Sequence, residues 1–155
     1  MRLAYLSLGS NLGSRWDNLT LAVPLVARGD DYRLSKVYET EPIGGVEQDN
    51  FWNMVIEINT DASASELLER ARVAEESAGR TRDVRWGPRT LDVDVLLVGD
   101  ETSDDPDIVV PHPRLYERAF VLVPLRELTP DLVSDEQLAA GVGNVVELGT
   151  LDSLR

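Results

Sequence analysis

Two stretches of helical periodicity are set among four runs with period-two alternation of apolar residues, in the order β-α-β-β-α-β. That order predicts an α+β fold, a mostly antiparallel sheet with helices on one face, arranged as a ferredoxin-like α/β sandwich with extra elements toward the C-terminus. The 155 residues suit one domain, residues 1–155. A chain of this length buries roughly 70% of its unfolded surface.

Residues 2–8 alternate weakly and predict a first strand, and Gly9-Ser10-Asn11-Leu12-Gly13 a turn. Ser14 followed by Asp17 is a helix start, after which Trp16, Leu19, Val23 and Val26 recur at helical spacing. Pro24 is expected to kink that helix and Gly29 to end it. Tyr32 to Tyr38 reads as a second strand, and residues 41–50, punctuated by Pro42, Gly44 and Gly45, as a loop. Phe51 to Thr60 alternates cleanly, with Phe51, Asn53, Val55 and Glu57 on one face and Trp52, Met54, Ile56 and Ile58 on the other. Ser63 and Glu66 form a capping box for a helix whose core face is Leu67, Ala71, Ala74 and Ala78, closed by Gly79. A loop of residues 79–89 leads into the strand Leu91–Val98, and residues 100–107 read as an acidic surface loop. Pro111-His112-Pro113-Arg114 is rigid, and Phe120-Val121-Leu122-Val123 reads as a short apolar strand. The tail from Thr129 carries no pattern that assigns it.

The chain holds no cysteine, which removes disulfides and thiolate metal sites. No apolar run approaches the ~20 residues of a membrane span. The start is too soon interrupted for a signal peptide, so a cytoplasmic location is expected. The net charge of −13 argues against a nucleic-acid partner. Nothing implies a membrane or an obligate protein partner, and most of the acids read as a solvated surface. Against that background residues 79–89 stand out: Arg80, Arg82, Arg85 and Arg89 face one acid, Asp83, within a loop marked by Gly79, Gly87 and Pro88. Arginine grips phosphate through two hydrogen bonds, where lysine offers a point charge.

Asp92 and Asp94 follow on the apolar strand. Alternation sends both carboxylates to one face and Leu91, Val93, Val95 and Leu97 to the other. Two carboxylates so close repel one another and need cations. Magnesium takes one or two carboxylates plus phosphate oxygens, and paired ions roughly 3.5–4 Å apart serve phosphoryl chemistry. The acid pair is therefore a candidate metal site and the arginine loop its phosphate partner. Phe51 and Phe120, the only phenylalanines, are either core residues or two walls of a slot for a flat heterocycle, whose edge Asn53 could read. His112, the only histidine, is structural or a phosphate contact. Gly9–Gly13 lacks the Lys-Ser/Thr of a P-loop and reads as a structural turn. On these residues alone the acid pair and arginine loop suit an enzyme that holds magnesium and a polyphosphate, such as a magnesium-dependent nucleotidyl or phosphoryl transferase; a non-catalytic ligand-sensing module is the alternative.

Arg85-Trp86-Gly87-Pro88-Arg89-Thr90-Leu91-Asp92-Val93-Asp94-Val95-Leu96-Leu97 closely resembles the signature of the 6-hydroxymethyl-7,8-dihydropterin pyrophosphokinases of folate biosynthesis. The resemblance extends through Leu8–Gly13, Tyr38–Gly44, Phe51-Trp52-Asn53, Val110–Arg114 and Arg118-Ala119-Phe120. It implies transfer of pyrophosphate from ATP to the pterin hydroxymethyl group, giving AMP, with ATP and the pterin as the small-molecule partners. It implies that Asp92 and Asp94 hold two Mg2+ ions. Arg82 and Arg89 would act on the triphosphate, Arg85 and Trp86 would cover the nucleotide from a mobile loop, and His112 and Arg118 would face it. Glu75 would lie near the nucleotide or a metal-bound water. Phe51 and Phe120 would sandwich the pterin, with Asn53 and the backbone of Thr40, Glu41, Pro42 and Ile43 reading its edge. Asp94 is also a candidate acceptor for the hydroxyl proton. The chain departs from the pattern in two places: it is about one residue short between Arg82 and Arg85, and Asp107 stands where a basic or neutral residue is expected.

Overall fold

The computed structural model describes residues 1–42, 47–79 and 89–155. Among them runs a six-stranded antiparallel sheet. Its strands are β1 (Arg2–Ser10), β2 (Asp31–Leu34), β3 (Val37–Thr40), β4 (Phe51–Thr60), β5 (Asp92–Val98) and a late strand, β8 (Val145–Gly149). The spatial order is β5-β1-β4-β3-β8, with β2 also paired to β4. A separate hairpin joins β6 (Ser103–Asp105) to β7 (Ile108–Val110).

Alternation decides which side chains go to which side of this sheet. Ala4, Leu6 and Leu8 of β1, Met54, Ile56 and Ile58 of β4, and Val93 and Val95 of β5 are buried on one face. They meet Leu19, Ala22, Val23 and Val26 of α1 (Arg15–Ala27), and Leu67, Ala71 and Ala74 of α2 (Ala64–Ser77). Both helices begin as expected: Ser14 Oγ accepts the Asp17 N–H and Ser63 Oγ accepts the Glu66 N–H, each at 3.2 Å. Helix α1 ends on Arg28, which takes a left-handed φ of 47° just before Gly29.

The expectation of helices on one face is corrected by α3 (Ala119–Leu128), which covers the opposite face. Its Val121, Leu122, Leu125 and Leu128 pack on Tyr5, Val55 and Leu96. The run Phe120–Val123, read as a strand, is the first part of this helix. Four consecutive apolar residues fit either periodicity, and only the later Leu125 and Leu128 complete a helical stripe.

Three further departures are local. The single strand expected over Tyr32–Tyr38 is broken, because the pairing with β4 slips by one residue between Leu34↔Ile56 and Tyr38↔Asn53. Ser35 fills the gap, its N–H donating to the Val55 carbonyl and its Oγ accepting the Val55 N–H, both at 2.9 Å. The slip turns the Lys36 N–H toward Glu127 of α3, whose carboxylate also accepts from the Tyr38 hydroxyl at 2.6 Å. Second, the acidic stretch 100–107 contains β6 and the turn to β7, where the Asp107 N–H donates to Asp105 Oδ1 at 3.0 Å. Third, β5 bulges against Tyr5 and Leu6 of β1. Leu96 and Leu97 therefore both lie with the α3 cluster, while Val98 returns to the other core. Leu97 was expected opposite the carboxylates; the extra residue of the bulge reverses its phase.

The tail forms a 3-10 turn at Pro130–Leu132, the short helix α4 (Asp135–Ala140), β8 on the sheet edge, and a 3-10 turn at Leu151–Leu154. Among the described residues, no helix is long and apolar enough to cross a membrane.

Candidate active site

Antiparallel pairing brings the candidate residues to one end of the sheet. Gly9, near the end of β1, is opposite Asp92 on one side and Asn53 on the other, and Asn53 is opposite Tyr38. Directly paired residues project to the same face, so Asp92 and Asn53 share the α3 side of the sheet. They stand two strands apart, roughly 10 Å at the usual strand spacing. The position between them is a glycine, so the row has a trough at its centre.

That glycine is required by a close approach. A Cβ at Gly9 would collide with Asn53 Oδ1 and come within 3.6 Å of Phe51 Cδ1. Asn53 is buried, and its Nδ2 donates to Thr40 Oγ1 at 2.6 Å. Thr40 is paired with Phe51, so Glu41 and Pro42 leave the sheet beside the first residue of β4. Phe51 lies on the Asn53 face, and Phe120 is carried over the same face in the first turn of α3. Both rings are half-buried. The Arg118 guanidinium sits 5.5 Å from the centre of the Phe120 ring.

Beyond Gly9, Asp92 and Asp94 open into a cleft of about 330 Å3 that is also lined by Arg89, His112, Pro113, Arg114 and Arg118. Three arginines and two aspartates give it a net positive lining, in a chain whose net charge is −13. The His112 N–H donates to the Leu96 carbonyl at 2.9 Å, at the bulge of β5. This bond sets the imidazole beside the acid pair, with Nε2 4.0 Å from Asp94 Oδ1. His112 Nδ1 accepts the Arg114 N–H at 3.1 Å. Burial, then the Arg118 charge, hold the His112 pKa below its ordinary value. The neutral ring with its proton on Nε2 satisfies both facts, and it aims a donor into the cleft. Burial first, and Arg114 second, also lower the pKa of Arg118, which stays cationic.

Glu75, expected near the nucleotide or a metal-bound water, lies against the strand that carries the acid pair. It is buried on α2, and its Oε2 accepts the Val93 N–H at 3.0 Å on the outer edge of β5. It thus braces the strand between the two aspartates from behind. Asp107 is exposed in the β6–β7 turn and does not line the cleft. Ile43, Arg82, Arg85 and Trp86, together with the lid expected over residues 79–87 apart from Gly79, lie outside the described residues.

Two contributors were missed at the level of sequence. Arg114 lines the cleft, and the run Pro111–Arg114 held the signal for it, a basic residue directly after Pro-His-Pro. Asn11, in a turn read only as structural, contacts the backbone of Arg89. No spacing rule links residues so far apart in the chain.

The oxygen-only chemistry of Asp92 and Asp94 fits magnesium. Among the described residues no group of three or more His, Cys, Asp or Glu side chains converges on a metal site. Two carboxylates suit a magnesium site that phosphate and water oxygens complete, the usual arrangement in phosphoryl-transfer enzymes.

Residues 5–130 match the family described as 7,8-dihydro-6-hydroxymethylpterin-pyrophosphokinase (HPPK). The chain is 47% identical over 129 residues to the 2-amino-4-hydroxy-6-hydroxymethyldihydropteridine pyrophosphokinase of Bacillus subtilis, covering 81% of this chain and 77% of that one. It is 41% identical over 131 residues to the protein of the same name from Pseudomonas aeruginosa, covering 83% and 81% respectively. A crystal structure of Plasmodium falciparum HPPK-DHPS superimposes with a TM-score of 0.59 at 16% identity, a likeness of fold alone, over 99% of this chain and 43% of that one.

Proposed function

The chain belongs to the 7,8-dihydro-6-hydroxymethylpterin-pyrophosphokinase family, and from that premise we propose that it transfers pyrophosphate from ATP to 6-hydroxymethyl-7,8-dihydropterin in folate synthesis. The products are AMP and the pterin diphosphate. The observation that supports this reading is the row Asp92–Gly9–Asn53, with the Asn53 amide and the acid pair on one sheet face about two strand spacings apart. A pterin edge on Asn53 then points its hydroxymethyl group along the trough toward the carboxylates.

In the reaction, the hydroxymethyl oxygen attacks the β-phosphorus and forms the new O–P bond. The bond from that phosphorus to the oxygen bridging the α-phosphate breaks, and AMP leaves with the oxygen. The hydroxyl proton passes to Asp94. Asp92 and Asp94 would hold magnesium, two ions in this reading, which neutralises charge on the phosphate oxygens. The chain's own residues do the rest by alignment and electrostatics, the main sources of rate in such transfers. Arg82 and Arg89 act on the triphosphate, Arg118 faces the ATP, and Arg85 covers the nucleotide together with Trp86. His112 Nε2–H donates to a phosphate oxygen. Glu75 acts through Val93 by holding the acid strand in place. Phe51 and Phe120 clamp the ring, and the backbone of Thr40, Glu41, Pro42 and Ile43 completes its edge.

The strand order β5-β1-β4-β3 with α1 and α2 on one face supports a ferredoxin-like sandwich, to which α3 and β8 are added. We take residues 1–155 as one pyrophosphokinase domain that works in the cytoplasm on small molecules. Incubation with ATP, magnesium and the reduced hydroxymethyl pterin tests the proposal. AMP and pterin diphosphate in equal amounts are expected. ATP breakdown to ADP, or breakdown independent of pterin, would assign the site to another class of transferase.

A further inference from the structure

Asn11 is 3% exposed and lies just beyond β1, where the turn meets two other segments. Its Oδ1 accepts the Arg89 N–H at 2.8 Å, while the Arg89 carbonyl accepts the N–H groups of Asn11 and Leu12 at 3.0 and 3.1 Å. The peptide groups on both sides of Arg89 are thus fixed by one turn. The Asn11 amide nitrogen donates in the other direction, to Gln48 Oε1 and to the Asp49 carbonyl, both at 2.8 Å. One residue further on, the Asn50 carbonyl accepts from Arg15 at 3.0 Å, so the segment entering Phe51 is held by the same part of the chain.

We infer that Asn11 is a positioning residue that fixes the phosphate-side Arg89 and the pterin-side segment 48–50 in one register. The inference rests on the pyrophosphokinase reading of the site. An amide is suited to the task because it offers an acceptor on one side and two donors on the other. Aspartate keeps the acceptor and loses the donors, and alanine loses both. A residue needed only for folding would not separate these two substitutions by substrate.

The test is steady-state kinetics on Asn11→Ala and Asn11→Asp, together with amide hydrogen exchange at Arg89. Asn11→Asp should raise the pterin KM about tenfold, the cost of leaving a buried group unpaired, and hold the ATP KM within about twofold. Asn11→Ala should raise both KM values, lower kcat, and speed exchange at Arg89 about tenfold or more. Equal changes in both KM values for the two variants, or unchanged kinetics in Asn11→Ala, would overturn the inference. If neither variant folds, the wild type decides, since an Arg89 amide exchanging at the rate of an open chain overturns the clamp. Exchange needs no turnover, so a wild type inactive on the pterin would remove the proposed function while leaving the clamp to stand or fall separately.

Discussion

Gly9→Ala probes the trough between the two halves of the site. The new methyl group would sit against Asn53 Oδ1, with the Phe51 ring 3.6 Å away. Since β1 is extended at Gly9, alanine suits the backbone and the strain falls on Asn53. Rotating that amide away breaks its 2.6 Å bond to Thr40 and removes it from the pterin edge. A buried polar group left without its partner costs about 2 kcal/mol, or roughly thirtyfold in affinity. Crowding in the sheet costs a further 1 kcal/mol or so of stability, partly offset by the lower chain entropy of alanine. Calorimetric titration should therefore show pterin binding weakened roughly thirtyfold and magnesium-ATP binding within about twofold of wild type. Pterin affinity unchanged within twofold, or an equal loss for ATP, would refute the idea that Gly9 exists to seat Asn53.

Asp94→Ala should abolish turnover, measured as AMP release, while pterin affinity stays near normal; parallel loss of both would contradict a metal role. Phe120→Ala should weaken pterin binding about tenfold and ATP binding much less, the scale expected for losing one aromatic wall. Arg89→Ala should lower kcat at least a hundredfold with little change in melting temperature, as for loss of a charge acting on a transferring phosphoryl group; a near-normal rate would make it structural. The fourth expectation concerns pH. Arg33 first, and the Tyr5 hydroxyl, hold Glu57 below its ordinary carboxylate value of 4.5. A depressed folded pKa gives stability that is present above that value and lost as pH falls through the folded one. Urea unfolding should thus show Glu57→Gln less stable than wild type at pH 7, the gap closing as acid protonates the folded-state Glu57 carboxylate. A gap independent of pH would exclude this linkage.

Where burial and period coincided, the sequence was readable. Helices α1 and α2 each bury one regular stripe, and β1 and β4 alternate strictly between two covered faces, so helical spacing or alternation alone grouped Leu67 with Ala71 and Met54 with Ile56. The acid pair was legible for the same reason. What escaped depended on partners distant in the chain. The slip at Ser35 is set by Val55, the bulge at Leu96 by Tyr5 and Leu6, and the helical state of Phe120–Val123 by the surface that Tyr5, Val55 and Leu96 offer it. Likeness put Glu75 near the nucleotide or a metal-bound water. Its hydrogen bond to Val93 follows from how α2 lies along the outermost strand, which spacing does not encode. The Asn11 clamp on Arg89 joins loops at opposite ends of the site, and neither loop alone shows a motif for it.

Among the described residues strand β5 ends the sheet, and an apolar strand at that edge is a potential template for another chain. Along that edge the Val93 N–H is taken by Glu75 and the Leu96 carbonyl by the His112 N–H. An incoming strand would have to displace a buried carboxylate and a proline-flanked backbone before it could pair. Glu75→Ala is therefore expected to increase aggregation on warming as well as to slow turnover, and light scattering reads the first effect separately from activity. The contacts that hold Asp92 and Asp94 at the cleft also hinder the strand that carries them from recruiting neighbours.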